Sequence, residues 1–191
     1  MHTMILGQTG CGKTTLARVI ADGWPDHREI IVADTWDEWP ERAVVTDIDD
    51  LIKRAKETSD ALLIIDDAGG RMDKWDADHD WLATESRHFN HSCVFIAQRY
   101  SQVSPLIRGQ CEQIYSFNIG PKDAKLFSEE FNFPGDSEVI SDLPRLRAIK
   151  FRRMSKEIDF LKVTPGELPK ISHYARWHAN SLDNHDPLGN D

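Results

Sequence analysis

The stretch Gly7-Gln8-Thr9-Gly10-Cys11-Gly12-Lys13-Thr14 decides the fold of this chain, because it matches the pattern G-x-x-x-x-G-K-[ST] of phosphate-binding loops. The apolar residues 1–6 before it predict a strand, and residues 14–22 after it have the pattern of a helix. Glycines at both ends let the backbone turn tightly, so that successive N–H groups point at a phosphate near the positive end of the helix. The beginning of the chain is therefore predicted to be a nucleotide-binding strand–loop–helix unit.

The side chains of this loop predict how a nucleotide is held. Lys13 reaches the β- and γ-phosphates of a nucleoside triphosphate, and the Thr14 hydroxyl is placed to ligate Mg²⁺. We interpret Cys11 as a small residue that the loop tolerates rather than as a reactive thiol. ATP and Mg²⁺ are the expected cofactors, and the predicted nucleotide contacts are Gly7, Gln8, Thr9, Gly10, Cys11, Gly12, Lys13, Thr14 and Thr15.

The composition limits the remaining possibilities. A chain of 191 residues with 40% hydrophobic and 29% charged residues is expected to form one domain with a sizeable core. Its net charge of −9 argues against a surface coated with basic residues for nucleic acid. No apolar run approaches the roughly 20 residues of a membrane helix, and no signal peptide is visible. Three cysteines fit no disulfide or zinc framework, so we expect reduced thiols in a cytosolic protein.

Short apolar runs alternate with helical patterns along the chain, which is typical of a mostly parallel sheet covered on both faces. Further strands are predicted at residues 29–33, 61–65, 93–97 and 113–118, with helices at 46–57, 81–90 and 121–131 and a polar loop at 68–80. Two later β-runs, residues 147–153 and 158–163, predict a hairpin. The chain is therefore divided into an α/β domain at 1–163 and a C-terminal tail at 164–191 that packs loosely or is disordered.

Polar side chains follow two of the predicted strands at the edge where such sheets bind ligands. Asp66 and Asp67 end the strand at 61–65, and Gln98 ends the strand at 93–97. We expect Asp66 to hold Mg²⁺ through water and Asp67 to orient the attacking water, with Glu38 after the second strand as the alternative base. Gln98 is expected to orient that water or to contact the γ-phosphate.

The segments Phe95-Ile96-Ala97-Gln98-Arg99, Val103-Ser104-Pro105-Leu106-Ile107-Arg108 and Gln113-Ile114-Tyr115-Ser116-Phe117 resemble the FtsK–HerA superfamily of DNA-pumping ATPases. Within it, residues 1–131 are similar to the genome-packaging ATPases of tailless, internal-membrane viruses with double-jelly-roll capsids. The resemblance implies an additional-strand, RecA-like P-loop NTPase, a three-layer sandwich whose Gln98 strand lies between the phosphate-loop strand and the Asp66 strand. Many members carry Glu where Asp67 stands, so the shorter side chain leaves the choice of base open.

The family resemblance also implies partners. Such ATPases form rings, usually of six subunits, that translocate double-stranded DNA, and each site is completed by an arginine of the neighbouring subunit. Arg108 is the favoured arginine because it follows the Gln98 strand as in the family, while Arg71, Arg87 and Arg99 are the other candidates. A capsid vertex or membrane proteins are possible further partners, in the host cytoplasm or associated with the virion.

Two regions are candidates for the DNA-facing surface. Residues 145–156 contain no acidic residue and six basic ones: Arg145, Arg147, Lys150, Arg152, Arg153 and Lys156. Alternation along a strand would place several of them on one face, where they could contact DNA phosphates. The loop with Arg71, Lys74 and Trp75 is the second candidate, although four nearby aspartates would repel phosphates. A solvated hairpin face is the equal alternative for the first region.

Other patterns are interpreted as ordinary surface. The group Asp76, Asp78, His79 and Asp80 does not have the spacing of a calcium loop, and His88 with His91 has no evident third zinc ligand. The predicted function is an ATP-hydrolysing motor that packages a viral genome into a preformed capsid. The alternatives are a small-molecule P-loop kinase and a filamentous-phage-type assembly or export ATPase.

Overall fold

A nine-stranded sheet forms the centre of the computed structural model, which describes residues 1–34, 38–39, 43–45, 47–72, 77–133, 135–164 and 170–171. In chain order the strands are β1 (His2–Leu6), β2 (Ile30–Ala33), β3 (Ala43–Val45), β4 (Leu62–Ile65), β5 (Ser92–Ala97), β6 (Cys111–Ser116), β7 (Arg147–Arg152), β8 (Glu157–Lys162) and β9 (Lys170–Ile171). Across the sheet they are arranged as β3-β2-β4-β5-β1-β6-β7-β8-β9. The strand that Asp66 directly follows, β4, is thus separated from β1 by β5.

The first six strands are parallel and the last three are antiparallel. Phe95 of β5 pairs with Met4 of β1, and Val94 pairs with Ile64 of β4, which fixes β5 as the additional strand. All five residues of β1 are buried, as expected for a parallel strand covered on both faces. This arrangement confirms the predicted mostly parallel α/β sheet and its C-terminal hairpin, β7–β8.

Helices cover both faces of the sheet. They are α1 (Lys13–Asp22), α2 (Ile48–Lys56), α3 (Ala68–Arg71), α4 (Ala77–Thr84), α5 (Pro105–Gln110), α6 (Pro121–Phe131) and α7 (Ser137–Ser141), with 3₁₀ turns at Ser86–Phe89 and Tyr100–Gln102. Met4 and Leu6 belong to one apolar cluster with residues of α2, α4 and α6, whereas Ile5 belongs to a second cluster with residues of α1. Since successive residues of a strand face opposite sides, the two clusters are the two cores of a three-layer sandwich.

Local chemistry explains where two of these helices begin. The Asp47 carboxylate accepts the Asp50 backbone N–H at 2.8 Å and caps α2, whose residues Ile48, Leu51, Ile52 and Ala55 are buried at helical spacing. The Ser104 hydroxyl accepts the Ile107 N–H at 3.2 Å, and Pro105 occupies the first turn of α5.

Several elements differ from the sequence-based prediction. The helix expected at 81–90 is α4, which begins at Ala77 inside the predicted loop, and a 3₁₀ turn follows it. The buried side chains of Trp81, Leu82 and Ala83 explain this difference, because their packing overrides the polar composition before them. The elements β3, α5 and α7 are not predicted, and within the predicted tail β9 pairs with β8. The boundary at 163/164 remains a prediction, and residues 172–191 lie outside the described residues.

Candidate nucleotide-binding site

The phosphate loop joins β1 to α1 and depends on two glycines. Gly12 caps α1 with φ 113°, a backbone conformation that side-chain-bearing residues rarely adopt. At Gly7 a Cβ atom would lie 2.6 Å from the Cys11 Sγ and 2.7 Å from the Phe117 Cβ, so no larger residue fits there. The Lys13 Nζ donates to the Gln8 carbonyl oxygen at 3.0 Å, across the loop. The sequence therefore forms the tight turn that its glycine spacing predicts.

A cleft of about 340 Å³ opens beside the loop. It is lined by Thr9, Gly10, Lys13, Thr14, Glu38, Asp66, Asp67, Ile96, Ala97 and Gln98. The structure thus brings Asp66, Asp67 and Gln98 from the ends of β4 and β5 to the phosphate loop, as parallel strand order predicts. The other predicted contacts belong to the same loop and to the first turn of α1: Gly7, Gln8, Cys11, Gly12 and Thr15.

Three oxygen ligands lie close together in the cleft. The Thr14 Oγ1 is 3.4 Å from the Asp66 Oδ2 and 3.3 Å from the Glu38 Oε2. Neighbouring ligands of an octahedral Mg²⁺ with bonds of about 2.1 Å lie about 3 Å apart, so these hard oxygens fit a magnesium ion. Thr14 is therefore suited to its predicted role as a magnesium ligand. Asp66 lies close enough to Thr14 to share the ion directly, whereas the sequence predicts contact through water, and both roles stay predictions.

The environment of Asp66 favours a cation. Burial raises the pKa of the Asp66 carboxyl, and the nearby carboxylates of Glu38 and Asp34 raise it further. A hydrogen bond from the Trp39 indole N–H to the Asp66 Oδ2, 3.0 Å long, acts in the opposite direction and lowers this pKa. The net shift of this pKa is upward, mainly because of burial, and a bound cation would stabilise the ionised carboxylate.

Trp39 is a site residue that sequence reasoning missed. Its side chain is buried, and its backbone N–H donates to the Asp34 Oδ2 at 2.9 Å. The Arg18 guanidinium of α1 lies 5.5 Å from the centre of the indole ring and also donates to the Glu38 carbonyl oxygen. Trp39 thus connects α1 to Asp66 and places Glu38 beside Thr14. A tryptophan after a strand carries no local signal for this role.

Asp67 and Gln98 border the cleft from two neighbouring strands. Asp67 has φ 62° and ψ 44°, a left-handed conformation, and it caps the short helix α3. A Cβ atom at Gly70 would lie 2.8 Å from the Asp67 Oδ2, so this glycine leaves room for the carboxylate. Gln98 follows β5 and is exposed to the cleft. Both residues line the same cleft as the phosphate loop, and their predicted roles stay predictions.

Arg108 lies where it stabilises the fold. Its side chain is only 10% exposed, and an Nη atom is 3.0 Å from the Glu130 carboxylate of α6. Its guanidinium also lies 4.5 Å from the centre of the Tyr100 ring. In this conformation the Arg108 cation already has a partner within its own chain, the 30% exposed Glu130, so the expected contact with a neighbouring subunit stays a prediction that would require Arg108 to leave that partner.

The other candidate arginines differ in position. Arg99 directly follows Gln98, its side chain is 59% exposed, and its Nε donates to Asp123 at 3.1 Å. Arg87 donates to the Ala83 carbonyl oxygen and to the Gln110 side chain. It precedes β5 in the chain, so it lies near the N-terminal ends of the parallel strands, whereas the cleft lies at their C-terminal ends. The side chain of Arg71 lies outside the described residues.

Much of the predicted basic stripe has partners within the chain. Arg152 pairs with Glu157 at 3.1 Å and with the buried Asp159 at 2.8 Å. Arg153 donates to the Gly109 carbonyl oxygen and stacks on Phe131. The Lys150 ammonium lies 5.4 Å from the centre of the Tyr115 ring. A DNA contact through these side chains remains a prediction that would require them to leave these partners. The alternative residues Lys74 and Trp75 lie outside the described residues.

The histidine patterns are structural. His91 is buried, contrary to the predicted surface pair, because its Nδ1 accepts the Ala61 N–H at 3.0 Å and its Nε2 contacts the Ala55 carbonyl at 2.9 Å. His79 is 3.7 Å from Asp49. Among the residues that the structure describes, no three His, Cys, Asp or Glu side chains gather to hold a metal. Asp76 and the Asp78 side chain lie outside them.

A family model described as "Poxvirus A32 protein" matches residues 21–156, more than half of the chain. The chain belongs to the Poxvirus A32 protein family. The matched region of this family member begins in α1 and contains Asp66, Asp67 and Gln98. No curated protein sequence matches the chain.

Solved structures share the fold of this Poxvirus A32 family member. The genome packaging NTPase B204 from Sulfolobus turreted icosahedral virus 2, in complex with ATP-gammaS, is 18% identical with a TM-score of 0.69, over 83% of this chain and 95% of that one. The pCW3 conjugation coupling protein TcpA with ATPgS is 15% identical with a TM-score of 0.64, over 87% and 60%. The N-terminal domain of zonular occludens toxin from Neisseria meningitidis is 15% identical with a TM-score of 0.52, over 82% and 85%.

The family match and the shared fold confirm the predicted kinship. The chain is an ATPase of the FtsK–HerA type with a P-loop NTPase fold. In the described part of this Poxvirus A32 family member, no helix is long and apolar enough to cross a membrane.

Proposed function

We propose that the chain is a motor that hydrolyses ATP to translocate double-stranded DNA, packaging a viral genome into a preformed capsid. The observation that carries the proposal is the cleft, in which a phosphate loop, two strand-end acids and the amide on the additional strand meet. The match to the Poxvirus A32 family supports it, as does the shared fold with a genome packaging NTPase in complex with ATP-gammaS.

Catalysis at this site would consist of positioning and charge neutralisation. Lys13 holds the β- and γ-phosphate oxygens, and the loop N–H groups surround the β-phosphate. Thr14 and Asp66 would hold a magnesium ion, which when bound supplies positive charge to the phosphate oxygens. Gln98 contacts the γ-phosphate or the attacking water. These roles are assigned because Lys13, Thr14, Asp66 and Gln98 all line the cleft beside the phosphate loop.

Two carboxylates compete for the role of base. Asp67 follows Asp66 and borders the cleft, and it is the proposed residue that orients and deprotonates water. Glu38 also lines the cleft and lies 3.3 Å from Thr14, so it is the alternative. Separate neutral variants of the two residues distinguish them, as described in the Discussion.

The motor is proposed to act as a hexameric ring in which a neighbouring subunit supplies an arginine. Arg108 would have to leave Glu130 and Tyr100 to do so, whereas Arg99 is exposed beside Gln98 and keeps two guanidinium nitrogens beyond its Nε contact with Asp123. Arg99 is therefore the arginine that this conformation favours. Capsid-vertex or membrane proteins are the proposed anchors, in the host cytoplasm or on the virion.

The proposal is tested by measuring phosphate release from ATP with and without double-stranded DNA. A motor shows DNA-stimulated release, and the Lys13→Ala variant provides the inactive control. A small-molecule kinase would instead transfer the γ-phosphate to an acceptor and ignore DNA. An assembly or export ATPase would hydrolyse ATP without a response to duplex DNA, so an unstimulated rate in assembled rings would contradict DNA translocation.

A further inference from the structure

The phosphate loop is held from outside by a distant segment. Residues 143–146, here called the strap, connect α7 to β7. The Arg145 Nε donates to the Gly10 carbonyl oxygen at 3.1 Å, and the Leu146 backbone N–H donates to the Cys11 carbonyl oxygen at 3.2 Å. Two successive carbonyls of the loop are therefore hydrogen-bonded by the strap.

The strap is itself fixed by several contacts. Leu146 has φ 62°, an unfavourable conformation for a residue with a side chain, and its carbonyl accepts the Val163 N–H at 2.9 Å. The Leu146 side chain packs so closely that a Cβ atom at Gly12 would lie 2.9 Å from its Cδ2. The Asn118 side chain donates to the Leu143 carbonyl at 3.4 Å, while the Asn118 carbonyl accepts the Gln8 N–H at 3.0 Å.

These contacts control the direction of the loop's N–H groups. In a planar trans peptide the C=O and the following N–H point in opposite directions. Holding the Gly10 and Cys11 carbonyls on the strap side therefore turns the Cys11 and Gly12 N–H groups away from the strap. The Cys11 N–H donates to the Gln8 carbonyl oxygen at 3.3 Å within the loop, so the Gly12 N–H is the group that this orientation offers to an anion.

We propose that the strap is a positioning element that holds the phosphate loop in its anion-binding form before ATP arrives, with Arg145 as its side-chain contact. The inference rests on the nucleotide-binding role of the loop. Preorganisation of this kind improves affinity because the loop does not have to be ordered when the ligand binds. Arg145 is exposed, so its replacement removes the contact with Gly10 and spares the core.

The test compares Arg145→Ala with Arg145→Gln, which keeps a neutral donor, and with Lys122→Ala, which removes one positive charge from an exposed site on α6. Amide hydrogen exchange at residues 10–12 is measured in the full chain without nucleotide, and the Kd for ATP is measured by titration. We expect Arg145→Ala to speed this exchange and to weaken ATP binding about 5- to 10-fold, which is less than the usual effect of losing a hydrogen bond to a charged donor because Arg145 is exposed to solvent. Arg145→Gln should lie between Arg145→Ala and the wild type, and Lys122→Ala should match the wild type.

The exchange measurement separates this inference from the proposed function, since it needs neither ATP nor DNA. Unchanged exchange in Arg145→Ala would overturn the positioning role, whatever happens to the Kd. Weaker binding with unchanged exchange, and with Arg145→Gln as weak as Arg145→Ala, would mean that Arg145 acts only through its charge. If Arg145→Ala failed to fold, Arg145→Gln would decide between the two outcomes by the same two measurements.

Discussion

Replacing Arg108 by methionine removes a buried cation and leaves its partner without a counter-charge. Breaking a buried ion pair by removing one member costs about 3–5 kcal/mol, and a cation over an aromatic ring contributes about 0.5–2 kcal/mol. Glu130 is 30% exposed and can regain part of its hydration, which reduces the first figure. We therefore expect Arg108→Met to lower the free energy of unfolding by about 3 kcal/mol. For a chain of this length that corresponds to a Tm lower by about 6–12 °C.

Thermal unfolding followed by circular dichroism, without nucleotide, measures this effect. Lys125→Met is the matched control, because Lys125 forms an exposed pair with Glu129 at 3.9 Å on the same helix as Glu130. That control should change the free energy of unfolding by less than about 0.5 kcal/mol. Adding Glu130→Gln to Arg108→Met should recover part of the loss, since it removes the uncompensated charge.

A mixing experiment distinguishes a stabilising Arg108 from one that acts in a neighbouring subunit. Arg108→Met is mixed with Lys13→Ala, which keeps Arg108 but cannot hold ATP. A stabilising role predicts no recovery of hydrolysis beyond that of folded Arg108→Met alone. The reasoning would be refuted if Arg108→Met kept the wild-type Tm, lost hydrolysis and regained it in mixed rings.

Three further predictions concern the cleft. Lys13→Ala should lose ATP binding with an unchanged Tm, because the half-buried Lys13 is expected to bind phosphate and is not part of the apolar core; calorimetric titration with wild-type affinity would contradict it. Asp66→Asn should raise the Tm of the nucleotide-free protein at pH 7. The pKa of Asp66 is raised in the folded chain, so the protonated carboxyl is favoured by folding. This stabilising contribution is present below the ordinary Asp pKa of about 3.9 and is lost as the pH rises through the folded pKa. The gain in Tm from Asp66→Asn should therefore shrink on acidification, and a pH-independent gain would count against this cause. Asp67→Asn should bind ATP normally and hydrolyse it at least about 100-fold more slowly in single turnover. If Glu38→Gln shows that loss and Asp67→Asn does not, Glu38 is the base.

The parts of the site that the sequence predicts are those that depend on local spacing. The phosphate loop is a contiguous motif, and Asp66 and Gln98 each follow a short apolar run whose length favours a buried strand. Parallel strands end at the same edge, so their meeting with the loop follows from the fold class. The position of β5 between β1 and β4 follows from the family resemblance, since spacing alone does not order the strands.

The parts that it does not predict depend on contacts between distant segments. Trp39 reaches Asp66 and Arg145 reaches Gly10 only because the sheet brings their strands together. The burial of Arg108 depends on Glu130 in α6, and no periodicity in α5 indicates such a partner. For α4, buried packing of Trp81 and Leu82 extends a helix into residues whose composition favours a loop.

The place of β1 in the sheet has a consequence for synthesis on the ribosome. Met4 pairs with Phe95 on one side and with Ile114 on the other, so β1 has neither neighbour until residues about 90 positions later have been translated. The phosphate loop after β1 lacks its hydrogen bonds from Arg145 and Leu146 until those residues have also been translated. Pairing between such distant segments is slow, and an unpaired apolar strand is prone to aggregation in the meantime. The strand β1 is therefore translated before its neighbours and completed among the last, and a nascent chain that ends before residue 111 exposes β1 without its β6 partner.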